Sequence, residues 1–178
     1  MVYQYEIERK EISQVTVDKL LKWLSEHNIK FLKTDHKIII QHDDYFFLYR
    51  LDKVISAIKA GFRFEDAIKI ITEDWEYLVI DVKKAAEKKS NHLLRMLSRV
   101  IGEKGKAKSM LEELTKAKIV IDDRFVHILG DKISSQAAYE SIRKLIKGSP
   151  HSSVFDFAVS YKRHLKNKER EAEYYLSL

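Results

Sequence analysis

The chain passes twice through the same order of short hydrophobic patterns: strand, helix, strand, strand, helix. In each pass, alternating apolar residues predict strands, and apolar residues spaced three and four apart predict amphipathic helices. Each pass takes roughly 70 residues, which indicates an internal duplication. Short strands mixed with helices favour an α+β fold made of two small modules. No low-complexity linker separates the halves, so we expect the modules to be packed together.

In the first half, one helix separates the first strand from the strand pair. The predicted elements are a strand at 3–7, a helix with an apolar stripe from Val17 to Leu24, strands at 29–31 and 37–41, a helix with a stripe from Phe47 to Ile58, and a helical stripe from Phe64 to Ile71. Thr16 is a candidate N-cap of the first helix, and Asp43 or Asp44 of the second, because such side chains accept hydrogen bonds from exposed helical N–H groups.

In the second half, two helical stripes stand where the first half has one. The predicted elements are a strand at 77–82, a helix with a stripe from Leu93 to Ile101, a helix with a stripe of Ala107, Met110, Leu111 and Leu114, strands at 119–121 and 125–129, a closing helix with a stripe from Ala138 to Ile146, and a helical tail with a stripe from Val154 to Leu165. Gly148 and Pro150 are expected to end the closing helix.

Composition excludes several classes of protein. The chain of 178 residues is 45% hydrophobic, which suits one medium domain or two small ones. It contains no cysteine, so disulfides, thiolate metal sites and cysteine nucleophiles are excluded. No apolar run approaches the roughly 20 residues that span a bilayer, and the first ten residues lack the pattern of a secretory signal. We therefore expect a cytoplasmic protein, or a nucleolar one in a eukaryote.

The excess of positive charge is concentrated in one segment. The whole chain carries 33 basic and 27 acidic residues, a net charge of +6. Residues 83–108 hold nine basic and two acidic side chains, a net charge of +7, which exceeds the +6 of the whole chain. A local basic block is typical of a surface that binds phosphates. A solvated, lysine-rich helix face would give the same count, so charge alone does not decide.

Two of the five glycines, Gly102 and Gly105, bracket Glu103-Lys104 where two helical stripes meet. Glycine permits a tight turn and lets backbone N–H groups approach a phosphate without a Cβ in the way. The helix that begins at Lys106 directs its positive end to the same place. We predict that Lys104 and the N–H groups of Gly102 and Gly105 hold a phosphate chain, although a turn between helices alone could explain the glycines. Further attraction is expected from the neighbouring cations Arg99, Lys106 and Lys108.

The residues around this G-x-x-G loop resemble a KH module. The similar segments are Arg99-Val100-Ile101-Gly102-Glu103-Lys104-Gly105-Lys106, then 111–115 and 118–121. KH loops clamp about four nucleotides of a single strand. The resemblance implies an α+β fold of two tandem, type I-like KH modules, each a three-stranded antiparallel sheet with helices on one face, plus a C-terminal helical tail. It also implies a base-binding groove, with core packing as the alternative for each of its residues: Val100, Ile101, Ile119 and Ile121.

Two further segments are similar to the partner-of-Nob family, tandem-KH assembly factors of the small ribosomal subunit, in its short archaeal form. They are the connector at 61–67 and the segment KGSPHSSVF at 147–155. The similarity is specific over residues 60–178 and weaker over 1–59. The implied domains are a degenerate KH-like module at 1–75, a KH module with the loop at 76–148, and a basic helical tail at 149–178.

Membership of that family implies a function. Such a factor binds single-stranded small-subunit rRNA near its 3′ end and works beside the Nob endonuclease that matures this end. Archaeal members are also linked to the α subunit of translation initiation factor two. Catalysis then belongs to the partner, and no cofactor is implied for this chain.

Two departures leave other functions open. The first half has no glycine before Gly61 and so no G-x-x-G loop, which suggests a module that contacts protein or serves as a scaffold. Glu103 places a carboxylate in the second loop, where it should repel phosphate. A protein–protein scaffold with degenerate KH modules is therefore one alternative. A general or exosome-associated KH RNA-binding protein is another.

The histidines and the tail give weaker signals. Seven histidines are scattered without the spacing of a metal site, so we expect no metal. No carboxylate stands at a spacing that would orient His151 for nucleophilic catalysis, and no other acid–base constellation is visible, so we expect no enzyme. His151 is expected to contact RNA or a partner, or to stabilise its loop by a hydrogen bond. The basic tail from Lys162 to Arg170 either follows rRNA phosphates or is a solvated helix with local ion pairs.

Overall fold

A computed structural model of the chain describes residues 2–85 and 90–176. The chain divides into two compact units between Asp74 and Trp75. Each unit has its own hydrophobic core and its own three-stranded antiparallel sheet. The predicted α+β class, with two such sheets followed by a C-terminal helix, is confirmed.

The first unit places its first strand beside its third. Its helices and strands are β1 (Tyr3–Glu8), α1 (Gln14–Glu26), β2 (Lys30–Lys33), β3 (Lys37–His42), α2 (Tyr45–Lys59), α3 (Phe64–Ala67) and α4 (Lys69–Thr72). The sheet order is β1-β3-β2, and both pairings are antiparallel. In the central strand, Ile38 and Ile40 are fully buried, because alternate residues of a strand point to the same face.

The helix starts of this unit follow capping chemistry. Helix α1 begins at Gln14, and the side chain of Ser13 accepts a hydrogen bond from the Thr16 N–H at 3.3 Å. The expectation that Thr16 caps α1 was therefore wrong, because an N-cap precedes the helix and accepts from its second or third N–H. Of the two candidates for α2, Asp44 is the N-cap, and its Oδ1 accepts from the Phe46 N–H at 2.8 Å.

Between β1 and α1 the first unit has only a short 3-10 turn, Arg9–Glu11. The Arg9 N–H donates to the His36 carbonyl at 2.9 Å. Its guanidinium donates to Gln14 Oε1 at 2.8 Å and to the Asp35 carbonyl at 3.1 Å. The position that holds a helix and a glycine loop in the second unit is thus a short turn tied to the β2–β3 connection.

The second unit has the same sheet order with an additional long helix. Its helices and strands are β4 (Glu76–Asp81), α5 (Val82–Ala85), α6 (Ser90–Ile101), α7 (Lys106–Thr115), β5 (Lys118–Ile121), β6 (Phe125–Gly130), α8 (Lys132–Ile146) and α9 (His151–Leu176). The order β4-β6-β5 repeats that of the first sheet, and all pairings are antiparallel. Helices α6 and α7 both precede the β5–β6 hairpin, and the G-x-x-G loop joins them.

The first half of α9 is part of the core of the second unit. Val154 and Ala158 are fully buried in that core. The Lys144 ammonium lies 4.3 Å from the centre of the Phe157 ring, a cation–π contact that ties α9 to α8. Although α9 has 26 residues, neither it nor any other helix within residues 2–85 and 90–176 is long and apolar enough to cross a membrane.

An ion pair joins the end of β4 to the start of β6. The Arg124 Nε donates to Asp81 Oδ1 at 3.0 Å, and Arg124 Nη2 donates to Asp81 Oδ2. The same carboxylate accepts from the Lys84 N–H at 3.2 Å. The hydrogen bonds from Arg124 hold the pKa of Asp81 at about 2, against an ordinary value of 3.8.

Replacing Arg124 with Gln should raise the pKa of Asp81 toward its ordinary value. Because the pKa is lower in the folded than in the unfolded chain, the pair stabilises the fold above about pH 4, and this contribution is lost as the pH falls toward 2. An NMR titration of the Asp81 carboxyl carbon measures the pKa, with Arg163→Gln as a control at an exposed arginine. Titration of Asp81 near pH 4 in the unmodified protein would contradict the assignment.

Candidate nucleic-acid interface

The G-x-x-G loop depends on the backbone geometry of its two glycines. Gly102 has φ 72° and ψ 175°, a region that is essentially restricted to glycine. A Cβ at Gly102 would lie 2.5 Å from the Ala107 Cβ and 2.7 Å from the Ala107 nitrogen. Gly105 is left-handed at φ 80° and ψ 5° and directly precedes α7. The start of α7 therefore packs directly on Gly102, which fixes where the loop stands.

The N–H groups of these glycines are used within the loop. The Gly102 N–H donates to the Ser98 carbonyl at 2.8 Å, and the Gly105 N–H donates to the Gly102 carbonyl at 3.2 Å. Each of the two N–H groups therefore already has an acceptor in the protein, and their contact with a phosphate chain stays a prediction. The side chains of the loop and the positive end of α7 attract an anion independently of these groups.

Exposed charges stand at the tip of the loop. Glu103, Lys104 and Lys106 are all exposed. Among the described residues, none of the three forms an ion pair. Lys108 differs, because its ammonium lies 3.4 Å from the carboxylate of Glu112. The loop thus presents two available ammonium groups and one carboxylate.

Arg99 and His151 join three helices behind the loop. Arg99 Nε donates to the Leu145 carbonyl at 3.1 Å, and its Nη2 donates to the Ser149 carbonyl at 2.6 Å. His151 Nε2 donates to the Arg99 carbonyl at 2.8 Å. Arg99 was expected to attract RNA. Its guanidinium instead connects α6 to the end of α8 and to the turn before α9, so we assign it a positioning role.

The substitution Arg99→Gln should lower the free energy of unfolding by about 2 kcal/mol, because two charge-assisted hydrogen bonds to carbonyl oxygens are lost. Chemical denaturation measures the change. Arg95→Gln is the matched control, since Arg95 is exposed on the same helix and should change stability by less than about 0.5 kcal/mol. Equal effects of the two substitutions would contradict the role assigned to Arg99.

The predicted groove residues divide into two classes. Val100 and Ile119 are buried in the core of the second unit, so core packing is their role and their assignment to the groove was wrong. Ile101 is 38% exposed, and Ile121 is half-buried. Both remain able to contact a base.

Leu94 was not among the predicted site residues, and its side chain is 68% exposed on α6. It lies two turns before Ile101, so the two side chains share one side of the helix. The signal was available, because Leu94 falls outside the predicted stripe of Leu93, Leu97, Val100 and Ile101. The inclusion of Ile101 in that stripe was wrong, since its side chain is exposed. We call Leu94 and Ile101 the apolar face of α6.

The rest of the basic segment is only partly described. Lys83 and Lys84 are exposed on α5, and Arg95 is exposed on α6. Glu87, Lys88 and Lys89 lie outside the described residues. Within the described residues, exposed cations therefore lie on α5, on α6 and at the loop.

In the tail, Lys162 has a structural role. It is half-buried, and its ammonium donates to the Thr115 carbonyl at the end of α7. Burial lowers the pKa of Lys162, against the opposing effect of Asp131. The other cations of the tail are exposed, so both interpretations of this segment stay predictions.

The described residues contain no cluster of three or more His, Asp or Glu side chains that could hold a metal ion. What the second unit does combine is exposed lysines at the N-terminus of α7, the apolar face of α6, and the half-buried Ile121. Phosphates can meet the lysines while bases contact apolar side chains, which is how KH loops receive a single strand.

Comparison with known proteins assigns the second unit to a family. Residues 77–163 match the model for the second KH domain of PNO1, a eukaryotic-type (type I) KH domain. The RNA-binding protein PNO1 of Oryzias latipes is 34% identical over 129 residues, which are 72% of this chain and 53% of that protein. The chain thus spans about half the length of the curated relatives it matches.

Solved structures extend the likeness to the whole chain. A protein of unknown function from Aeropyrum pernix has a TM-score of 0.79 and 25% identity, with 98% of each chain covered. A chain in the crystal structure of an a/eIF2alpha–aDim2p–rRNA complex from Pyrococcus horikoshii has a TM-score of 0.72 and 21% identity, covering 92% of this chain and 96% of that one. The second unit is therefore a PNO1-type KH domain, and the whole chain shares the two-unit fold of these structures.

Proposed function

We propose that the chain binds single-stranded rRNA of the small ribosomal subunit, near its 3′ end, through the G-x-x-G loop of the second unit. The observation that carries this proposal is the pair of exposed lysines, Lys104 and Lys106, at the start of α7 and next in sequence to the apolar face of α6. Lysine ammonium groups meet the phosphates, and Leu94, Ile101 and Ile121 contact the bases.

The relatives support a role in rRNA maturation. Several are named pre-rRNA-processing protein PNO1, among them that of Saccharomyces cerevisiae. The matching structure from Pyrococcus horikoshii contains rRNA together with a/eIF2alpha. We therefore propose rRNA and the α subunit of initiation factor two as partners, with a Nob-type endonuclease supplying the catalysis. The endonuclease partner and the cytoplasmic location stay predictions from the sequence.

Fluorescence anisotropy at fixed physiological salt tests this function. Labelled RNA from the 3′ end of the small-subunit rRNA is compared with a scrambled strand of equal length. The loop variant Glu103→Asp/Lys104→Asp should remove most of the binding without unfolding the chain. A preference for the 3′-end strand that the variant loses is the expected result. Equal, weak binding to both strands, unchanged in the variant, would overturn the proposal.

A scaffold function is the second candidate, and the first unit favours it. Tyr45, Phe46 and Tyr49 are 58%, 74% and 51% exposed within one turn at the start of α2. Exposed aromatic rings are enriched where proteins bind each other. Calorimetric titration with a/eIF2alpha, using the wild type and Phe46→Ser, distinguishes the candidates. Tight binding lost in Phe46→Ser, together with RNA affinity no better than that of any basic protein, would favour the scaffold.

A further inference from the structure

A pocket of about 450 Å³ opens beside the loop, between α7 and the start of α9. Most of its wall is apolar, and none of Leu94, Ile101 or Ile121 lines it. The residues that line it together with the loop glycine Gly102 are Glu103, Lys106, Ala107, Met110, His151 and Phe155. It is therefore a second recess next to the proposed phosphate-binding lysines, separate from the apolar face of α6.

The aromatic wall of this pocket is held in place. His151 Nε2 donates to the Arg99 carbonyl, so in the neutral ring Nδ1 is left as an acceptor. The Phe155 ring centre lies 6.1 Å from that of His151. Arg99 in turn holds the Ser149 carbonyl just before α9. A wall fixed in this way needs little ordering when a ligand enters.

We infer that this pocket takes one unpaired nucleobase of the bound RNA, and that it favours a base with an exocyclic amino group. The inference rests on the proposed RNA binding, because the strand must already lie along Lys104 and Lys106. Lys106 contributes to both the loop charge and the pocket wall, so a phosphate at the loop brings its neighbouring base to the opening. Single-stranded bases are commonly held against aromatic and apolar side chains.

The polar groups of the pocket select among the bases. Glu103 carries a carboxylate, which accepts hydrogen bonds and donates none when ionised. Adenine, cytosine and guanine offer exocyclic amino groups to such an acceptor. The one donor on the base edge of unpaired uracil is its ring N3–H, which lies between two carbonyl oxygens that the carboxylate repels. This role accounts for an acidic residue in a loop that otherwise attracts phosphate.

An abasic scan tests the inference. In the 3′-end RNA, each base is removed in turn while its phosphate is kept, and affinity is measured by anisotropy. For the wild type, one position should weaken binding on the order of 10-fold to 100-fold, the range of a stacked base. Phe155→Ala and Met110→Ala should each lower the affinity of the protein for intact RNA by a similar factor. In these variants, removal of the base at the sensitive position should not lower the affinity further.

A matched control separates the pocket from general effects on the helices. Met110 is 40% exposed, and Val159 on α9 is 41% exposed but does not line the pocket. Val159→Ala should therefore leave the affinity for the intact RNA and for every abasic RNA as in the wild type. Replacement of the base at the sensitive position by uracil should lower the affinity of the wild-type protein for the RNA. In Glu103→Gln, the difference in affinity between the original RNA and the uracil-containing RNA should be smaller.

The outcomes distinguish the inference from the proposed function. If Lys104→Asp leaves RNA affinity unchanged, the proposed function fails. If Lys104→Asp weakens binding but Met110→Ala and Phe155→Ala leave every abasic effect as in the wild type, the pocket inference alone is overturned, and the recess belongs to another occupant. Circular dichroism spectra confirm that each variant is folded.

Discussion

Reversing both loop charges, with Lys104→Asp and Lys106→Asp, is expected to lower the affinity for single-stranded RNA at least about 10-fold at physiological salt. Both ammonium groups are exposed, and neither forms an ion pair among the described residues, so their full charge is available to phosphates. The plot of log affinity against log salt should also become shallower by about 1.4, since each phosphate contact to a single strand contributes about 0.7.

The fold should survive this change. Lys104 has a left-handed backbone at φ 50° and ψ 31°, which aspartate adopts more readily than lysine does. Lys106 is the first residue of α7, where a negative side chain is favourable. Lys22→Asp/Lys30→Asp is the matched control, because it changes the net charge equally at exposed residues of the first unit. Equal loss of affinity in both double variants would show that only net charge matters, and would contradict the loop assignment.

Substituting Gly102 with Ala is expected to destabilise the second unit by about 3 kcal/mol. Two costs add at this position. The backbone lies in a region that is nearly restricted to glycine, and the new Cβ would lie 2.7 Å from the backbone nitrogen of Ala107. That nitrogen belongs to α7, which can move away only by losing its packing on α6.

Gly105→Ala supplies the comparison within the same loop. Gly105 also has a positive φ, but a Cβ added there would have no neighbouring atom within 4 Å, so only the backbone cost of about 1 kcal/mol remains. Gly105→Asn should cost less still, because asparagine tolerates the left-handed region. Thermal and urea unfolding measure all three variants. Equal losses for Gly102→Ala and Gly105→Ala would contradict the close packing of α7 on Gly102.

Local patterns were enough to predict the order of elements and the loop. The alternation in β3 and the stripe in α8 each identify the one face of the element that is buried. The glycines at 102 and 105 interrupt a helical pattern, which indicates a tight loop between two helices. The same patterns did not define the residue at which each helix begins. Ser13 rather than Thr16 caps α1, because a helix can extend by a turn beyond its apolar stripe.

The roles of individual site residues depended on contacts that sequence spacing does not contain. Arg99 is one more cation in the sequence, yet its acceptors at Leu145 and Ser149 lie 46 and 50 residues further along the chain. Val100 and Ile101 are adjacent and equally apolar, but one is buried and the other exposed. Met110 fits the buried stripe of α7, and only the position of α9 shows that it borders a pocket.

The most direct test of the central claim is a map of the RNA-binding surface by backbone amide NMR, in a titration with the single-stranded 3′-end RNA. The largest shift changes are expected for Ile101 to Lys106 and for the exposed side of α6. The amides of β1 to β3 should stay unchanged. Shifts confined to the first unit or to the exposed end of α9, with the loop amides unmoved, would contradict this claim.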